Sequence, residues 1–190
     1  MAEADETDES LIGRYAAGDV AAFDTLYRRH ELRIWRYLMR QTGNRATAEE
    51  LMQEVWFAVA RDAPRFQPRA RFTTWLFTVA RNRMLDAARS SRRTQSLDAL
   101  GYDSHAVLGQ LSTEPSVGPL AAAVVRDEHS ALAAALAQLP EEQREAFLLQ
   151  IEGELSIEEV ASVTHSSFET TKSRLRYARS KLRQLLQEHA

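Results

Sequence analysis

The chain of 190 residues carries 24 Lys and Arg against 27 Asp and Glu, with 44% hydrophobic residues and no cysteine. That length allows one or two small cores. The lack of cysteine excludes disulfides, thiol catalysis and zinc–cysteine sites, and no apolar run approaches the roughly 20 residues that span a bilayer.

The opening MAEADETDES is acidic and lacks an apolar segment, so it does not read as a signal peptide, and a cytoplasmic protein is expected. The net charge of −3 conceals strong segregation along the chain. From Arg61 to Arg93 there are nine Arg against two acids; from Arg126 to Glu169, ten acids against two Arg; from Lys172 to Arg183, six basic residues and no acid. Two basic islands, one in each half, point to two separate contacts with a polyanion. The acidic stretch between them would oppose non-specific DNA binding or meet a different partner.

Residues 1–10 read as a disordered acidic tail, and 11–93 as a first helical domain. Leu11 and Tyr15, then Phe23, Leu26 and Tyr27, then Ile34 and Leu38 have helical spacing, with Gly18-Asp19 separating two helices and QTGN ending the second. Thr47 and Glu50 predict a capping box for AEELMQEVWFAVARD, in which Leu51, Val55 and Val59 face a core. The other face offers Glu49, Glu50, Gln53 and Glu54, which composition alone reads as a solvated surface. A loop with Phe66, Arg69 and Arg71 leads into the helix FTTWLFTVARNRMLDAARS, where Phe72, Trp75 and Phe77 are interleaved with Thr and followed by Arg81, Asn82, Arg83 and Arg89. Aromatic rings beside a cationic loop suit stacking on unpaired bases. Simple core packing is the competing reading for Trp75 and Phe77, and Phe66 is the hardest to explain that way.

Residues 94–125 read as a flexible linker, long for a connection inside a compact domain, and 126–190 as a second all-helical domain. There Leu132, Leu136 and Leu139 line one side, Pro140 begins the helix EEQREAFLLQIEG and Gly153 suits its end. Phe147, Leu148 and Ile151 are expected to pack on Val160 and Val163. Ser156 with Glu159, and Ser166 with Glu169, predict two capping boxes on either side of a short turn, which is helix-turn-helix spacing. On the last helix Thr171, Leu175, Ala178, Leu182 and Leu185 form an apolar stripe, while Lys172, Ser173, Arg176, Tyr177 and Arg179 lie on its basic side. Such a helix suits a DNA major groove, although a solvated basic helix on an ordinary bundle has the same pattern. The fold class is therefore all-α: two small helical domains, a flexible linker and a C-terminal helix-turn-helix.

The ordered set FDTLYRRH, AEELMQEVWFAV, RFTTWLFTVARNRMLDAAR, LAQLPEEQREAFLLQ and SIEEVASVTHSSFETTKSRLRYARSKL resembles the extracytoplasmic-function sigma factors of bacterial RNA polymerase. The resemblance implies core RNA polymerase and promoter DNA as partners, no cofactor, no metal and no small-molecule substrate. It implies that Glu49, Glu50, Gln53 and Glu54 grip the coiled coil of the polymerase's largest subunit. Phe66, Arg69, Arg71, Phe72, Trp75, Asn82 and Arg83 would bind and open the minus-ten element, with Asn82 helping to capture a flipped base. Lys172, Ser173, Arg176, Tyr177 and Arg179 would read the minus-thirty-five element. Members of the family are usually held inactive by an anti-sigma factor, often membrane-anchored, which is the further partner implied.

Several positions depart from the family pattern. His165 stands where Gly is usual in the turn, Ser166 and Ser167 where an apolar residue and Pro are usual, Glu50 where Asp is frequent and Tyr177 where a basic residue is frequent. The alternative function is a stand-alone helix-turn-helix regulator with an N-terminal sensory domain, which would need a ligand pocket or dimer face in the first half. An enzyme is the weakest reading, because the five His lie far apart and no HExxH or glycine-rich phosphate loop is present.

Overall fold

A computed structural model describes residues 6–67, 70–98 and 131–187, and among these there are helices and no strand. The helices are α1 (Asp8–Ala16), α2 (Val20–Thr42), α3 (Arg45–Asp62), α4 (Phe72–Asp98), α5 (Ala131–Ala137), α6 (Glu141–Glu152), α7 (Ile157–Thr164) and α8 (Phe168–Gln187), with a 3₁₀ turn at Ala63–Arg65. The helix α4 continues to Asp98, past the expected domain end at 93; residues 8–10, expected in the disordered tail, instead form the first turn of α1, and the rest of the expected linker and residues 1–5 lie outside the described residues.

Local chemistry explains most of the helix ends. Thr7 caps α1 by accepting from the Ser10 N–H, and Asp19 caps α2 by accepting from the Ala21 N–H. Gly43, at φ 64°, terminates α2 in the left-handed conformation that glycine adopts without steric cost. The cap of α3 is Asn44, whose side chain accepts from the Thr47 N–H at 3.1 Å, rather than the expected Thr47–Glu50 box, because the helix begins at Arg45. The start of α4 is capped from another element: the Phe72 N–H donates to Glu9 Oε1 of α1 at 2.7 Å. Asp8 of the same turn takes His30 Nε2 at 2.6 Å and Arg29 Nη1 at 2.9 Å. Burial pushes the Asp8 carboxyl up, but the hydrogen bonds and charges of His30 and Arg29 outweigh it and hold the group below its usual range. Thus α1 is tied to both α2 and α4.

Helices α1–α4 enclose Leu11, Ile12, Leu26, Ile34, Leu38, Leu51, Val55, Val59, Phe72, Leu76 and Phe77, all buried. Helices α5–α8 enclose Leu136, Leu139, Leu148, Leu149, Leu155, Val160, Val163, Leu175, Leu182 and Leu185. The two sets form one continuous apolar cluster, with α6 lying on α2 and α7 lying on α4. Gly153 sits on that seam: a Cβ there would come within 2.6 Å of the Leu149 carbonyl oxygen and 2.9 Å of the Leu155 side chain, with Phe77 of α4 at 3.3 Å. Gly153 is required by close approach, since its own φ is −85° and the left-handed residue after it is Glu154, at φ 51°. Gly153→Ala is expected to destabilise the chain by about 1–3 kcal/mol in urea unfolding, the usual cost of overpacking.

One packing expectation is corrected. Ile151 is 52% exposed, and the buried positions of α6 are Glu145, Ala146, Leu148, Leu149 and Glu152. The helix has turned its Glu145–Leu149–Glu152 edge inward because arginines of the other half wait there.

Candidate functional site

The helix-turn-helix is α7–turn–α8. Its first cap is the expected box: the Ser156 side chain accepts from the Glu159 N–H at 3.2 Å and Glu159 Oε2 accepts from the Ser156 N–H at 2.8 Å. The second box does not form. His165 ends α7 in the left-handed region at φ 53°, ψ 39°, which moves the cap of α8 one residue on. Ser167 Oγ then accepts from the Thr170 N–H at 3.1 Å. Ser166 instead bridges Thr164 Oγ1 at 2.9 Å and the fully buried Thr171 Oγ1 at 2.7 Å, so three hydroxyls staple the turn. A residue with a Cβ costs roughly 1–2 kcal/mol in this conformation. His165→Gly is therefore expected to raise stability by about 1 kcal/mol, measured by thermal or urea unfolding.

The apolar stripe of α8 is buried as expected, which turns the opposite side to solvent. Lys172, Arg176 and Tyr177 are exposed and Ser173 is half-buried. The Lys172 ammonium lies 5.9 Å from the Phe168 ring, and the Arg176 guanidinium lies 4.9 Å from the Tyr177 ring while donating to its hydroxyl at 3.3 Å. Arg179 points back to α6, where it donates to Gln150 Oε1.

In the first half, α3 presents Glu50, Gln53 and Glu54 to solvent, while Glu49 pairs with Arg45 at 2.8 Å. Beside this row lies an apolar hollow of about 340 Å³ lined by Phe23, Tyr27, Met52, Gln53, Trp56, Phe57 and Ala60. Phe57 is 74% exposed at its rim and was missed by sequence reasoning. The available signal was its helical spacing of three and four residues from Glu54 and Gln53, which puts it on the polar face.

The aromatic cluster is partly corrected. Phe72 is fully buried, packed on His30 at 5.4 Å, so it anchors the start of α4 and offers no free face for stacking. Phe66 and Trp75 are half-buried, with ring centroids 5.2 Å apart, and Phe66 also meets Phe72 edge-on at 6.1 Å. Asn82 is exposed and Arg83 half-buried along α4, and Arg69 lies outside the described residues.

The acidic stretch finds its partner in the basic residues of the first half. Arg33 pairs with Glu154 at 2.6 Å, Arg40 with Glu152, and Arg81 with Glu145 at 2.9 Å. Arg144 donates to Gln41 at 3.1 Å and Thr74 Oγ1 donates to Glu159 Oε1 at 2.7 Å. Arg71 reaches the Glu154 carbonyl at 3.4 Å and Glu159 Oε2 at 3.5 Å. Burial pushes the Glu159 carboxyl up, yet its bonds from Ser156 and Thr74 and the charge of Arg71 bring it below the usual range. One carboxylate thus caps the helix-turn-helix and holds the start of α4.

Residues 26–94 match the family model described as Sigma-70 region 2, and residues 129–182 the model described as Sigma-70, region 4. The chain is 34% identical over 168 residues to the ECF RNA polymerase sigma factor RpoE of Cereibacter sphaeroides, covering 87% of each chain. It is 34% identical to the RNA polymerase sigma factor CarQ of Myxococcus xanthus, over 92% of this chain and 95% of that one. Among solved structures, CnrH in complex with the cytosolic domain of CnrY superposes with a TM-score of 0.66 at 23% identity, covering 97% of this chain and 100% of that one. RpoE in complex with the anti-sigma factor NepR, from Bartonella quintana, gives 0.65 at 23% identity, over 87% and 96%.

Proposed function

Because the chain belongs to the extracytoplasmic-function sigma factors of the sigma-70 family, we propose a division of labour among its surfaces. The protein directs RNA polymerase to promoters, and its family is one of non-catalytic transcription initiation factors. Glu49, Glu50, Gln53 and Glu54 of α3 bind core polymerase. Phe66, Trp75, Asn82 and Arg83, with Arg69 and Arg71, engage and open the minus-ten element, and Phe72 fixes the helix that carries them. Lys172, Ser173, Arg176, Tyr177 and Arg179 read the minus-thirty-five element. The carrying observation is α8 itself, a buried apolar stripe backed by exposed Lys172, Arg176 and Tyr177 at the entry of a helix-turn-helix. We assign the protein no reaction of its own and a place in the cytoplasm with polymerase; no helix among the described residues is long and apolar enough to cross a membrane.

Promoter engagement requires the two halves to separate. The two elements lie about 25 base pairs apart, roughly 85 Å at 3.4 Å per step, whereas α6 and α7 lie directly on α2 and α4. The anti-sigma factor NepR bound to the RpoE of Bartonella quintana suggests a repressor of that kind for this chain as well, with the apolar hollow at Phe57 as a docking surface it shares with polymerase. The chain has no cysteine, so label pairs are easily introduced at exposed Ala46 and Gln187. Energy transfer between them falls when core polymerase and promoter DNA are added; unchanged transfer in an active complex contradicts the opening.

A further inference from the structure

Glu169 is the one acid on α8, and the expected capping role does not employ it. Ser167 caps the helix through Thr170, and no hydrogen bond or ion pair among the described residues reaches the Glu169 carboxylate, which is exposed. At about 100° per residue, Glu169, Ser173, Arg176 and Ser180 project opposite the buried Thr171, Leu175, Ala178 and Leu182. Glu169 therefore sits on the centre line of the face that meets DNA, within the first turn, where recognition helices touch base edges. The positive end of the helix favours a carboxylate there.

Facing phosphates, such a group is repelled. Facing base edges, it discriminates, because a carboxylate only accepts hydrogen bonds. Guanine O6 and N7 and thymine O4 are acceptors in the major groove and repel it, whereas the cytosine N4 amino group is the donor to which Glu is matched. Lys172 and Arg176, three and seven residues on, are exposed beside it, and their cations suit the surrounding backbone and neighbouring acceptors. Resting on the reading of α8 as the minus-thirty-five reader, we infer that Glu169 is a specificity-determining residue whose carboxylate accepts from the exocyclic amino group of a cytosine in that element.

The test uses holoenzyme, full chain plus core polymerase, transcribing templates with a randomised upstream element, and sequencing the transcribed templates. The wild type selects cytosine at one position. Glu169→Ala lowers that preference by about tenfold, leaves the other positions unchanged and raises transcription from mismatched templates, since a repulsive charge is gone. Glu169→Gln moves the same position from cytosine towards adenine, which a carboxamide matches. Arg176→Ala, run in parallel, loses preference at a different position. A uniform rise with Glu169→Ala and no altered position overturns the inference, leaving a solvated acid. If Arg176→Ala alters a position and Glu169→Ala does not, this inference alone fails; if neither does, the assignment of α8 fails with it.

Discussion

Glu50→Lys combined with Glu54→Lys is expected to cut promoter-directed transcription by about a hundredfold or more at limiting sigma concentration, with little change in the melting temperature. Both carboxylates are exposed and neither makes an ion pair among the described residues, so the free fold loses no contact when they are reversed. Surface substitutions of this kind usually lie within about ±0.5 kcal/mol in stability. At an interface the same change is severe, because like charges placed against a complementary surface cost several kcal/mol. Titration of core polymerase with the variant, read by transcript yield and by co-migration in size exclusion, separates loss of binding from loss of folding. Wild-type transcription by the variant would remove α3 from the polymerase contact.

The second large effect is at the seam. Arg81 and Glu145 retain only 14% and 10% of their side-chain exposure and meet at 2.9 Å. Removing one partner from such a pair costs about 3–5 kcal/mol when the other stays buried. Here the remaining Arg81 has an escape, since undocking the halves returns it to water. Glu145→Ala is therefore expected to open the chain rather than unfold each half. A compact chain of this length has a radius of gyration of about 16 Å, and small-angle scattering of the variant should give a clearly larger value. The double replacement Arg81→Met with Glu145→Leu, apolar on both sides, should restore compactness, because an ion pair exchanged for apolar packing is often neutral or better. A compact Glu145→Ala protein would show that the pair does not hold the seam.

The same seam marks where the sequence stopped being legible. Local rules succeeded where both partners lie within a few residues: the Ser156–Glu159 box, the Gly43 stop and the α8 stripe all follow from spacing. They failed where distant residues decide. Ile151 was expected to pack inward, but Glu145 and Glu152 take the buried edge of the helix, where Arg81 and Arg40, far away in sequence, make their burial tolerable. Phe72 read as a stacking ring, whereas the Glu9 cap and His30 draw it into the core. Spacing assigned the α8 cap to Ser166, and the left-handed His165 moves it to Ser167. The candidate site was legible in its residue types, because exposed Lys172, Arg176 and Glu54 need no tertiary partner to be recognised. The pairing of Arg33, Arg40, Arg71 and Arg81 with acids of the second half was not legible, since the charge map gives amounts and order along the chain but not which arginine meets which glutamate.

This chain confers promoter choice on polymerase, and we propose that it does not read promoters by itself. Run-off transcription with purified core polymerase, with and without the protein, on templates selected by the holoenzyme tests it most directly. A transcript with one fixed start that depends on the protein, and that is lost on changing either promoter element, is the predicted result. Sequence-specific DNA binding by the protein alone, with no polymerase-dependent transcript from any selected template, would contradict it.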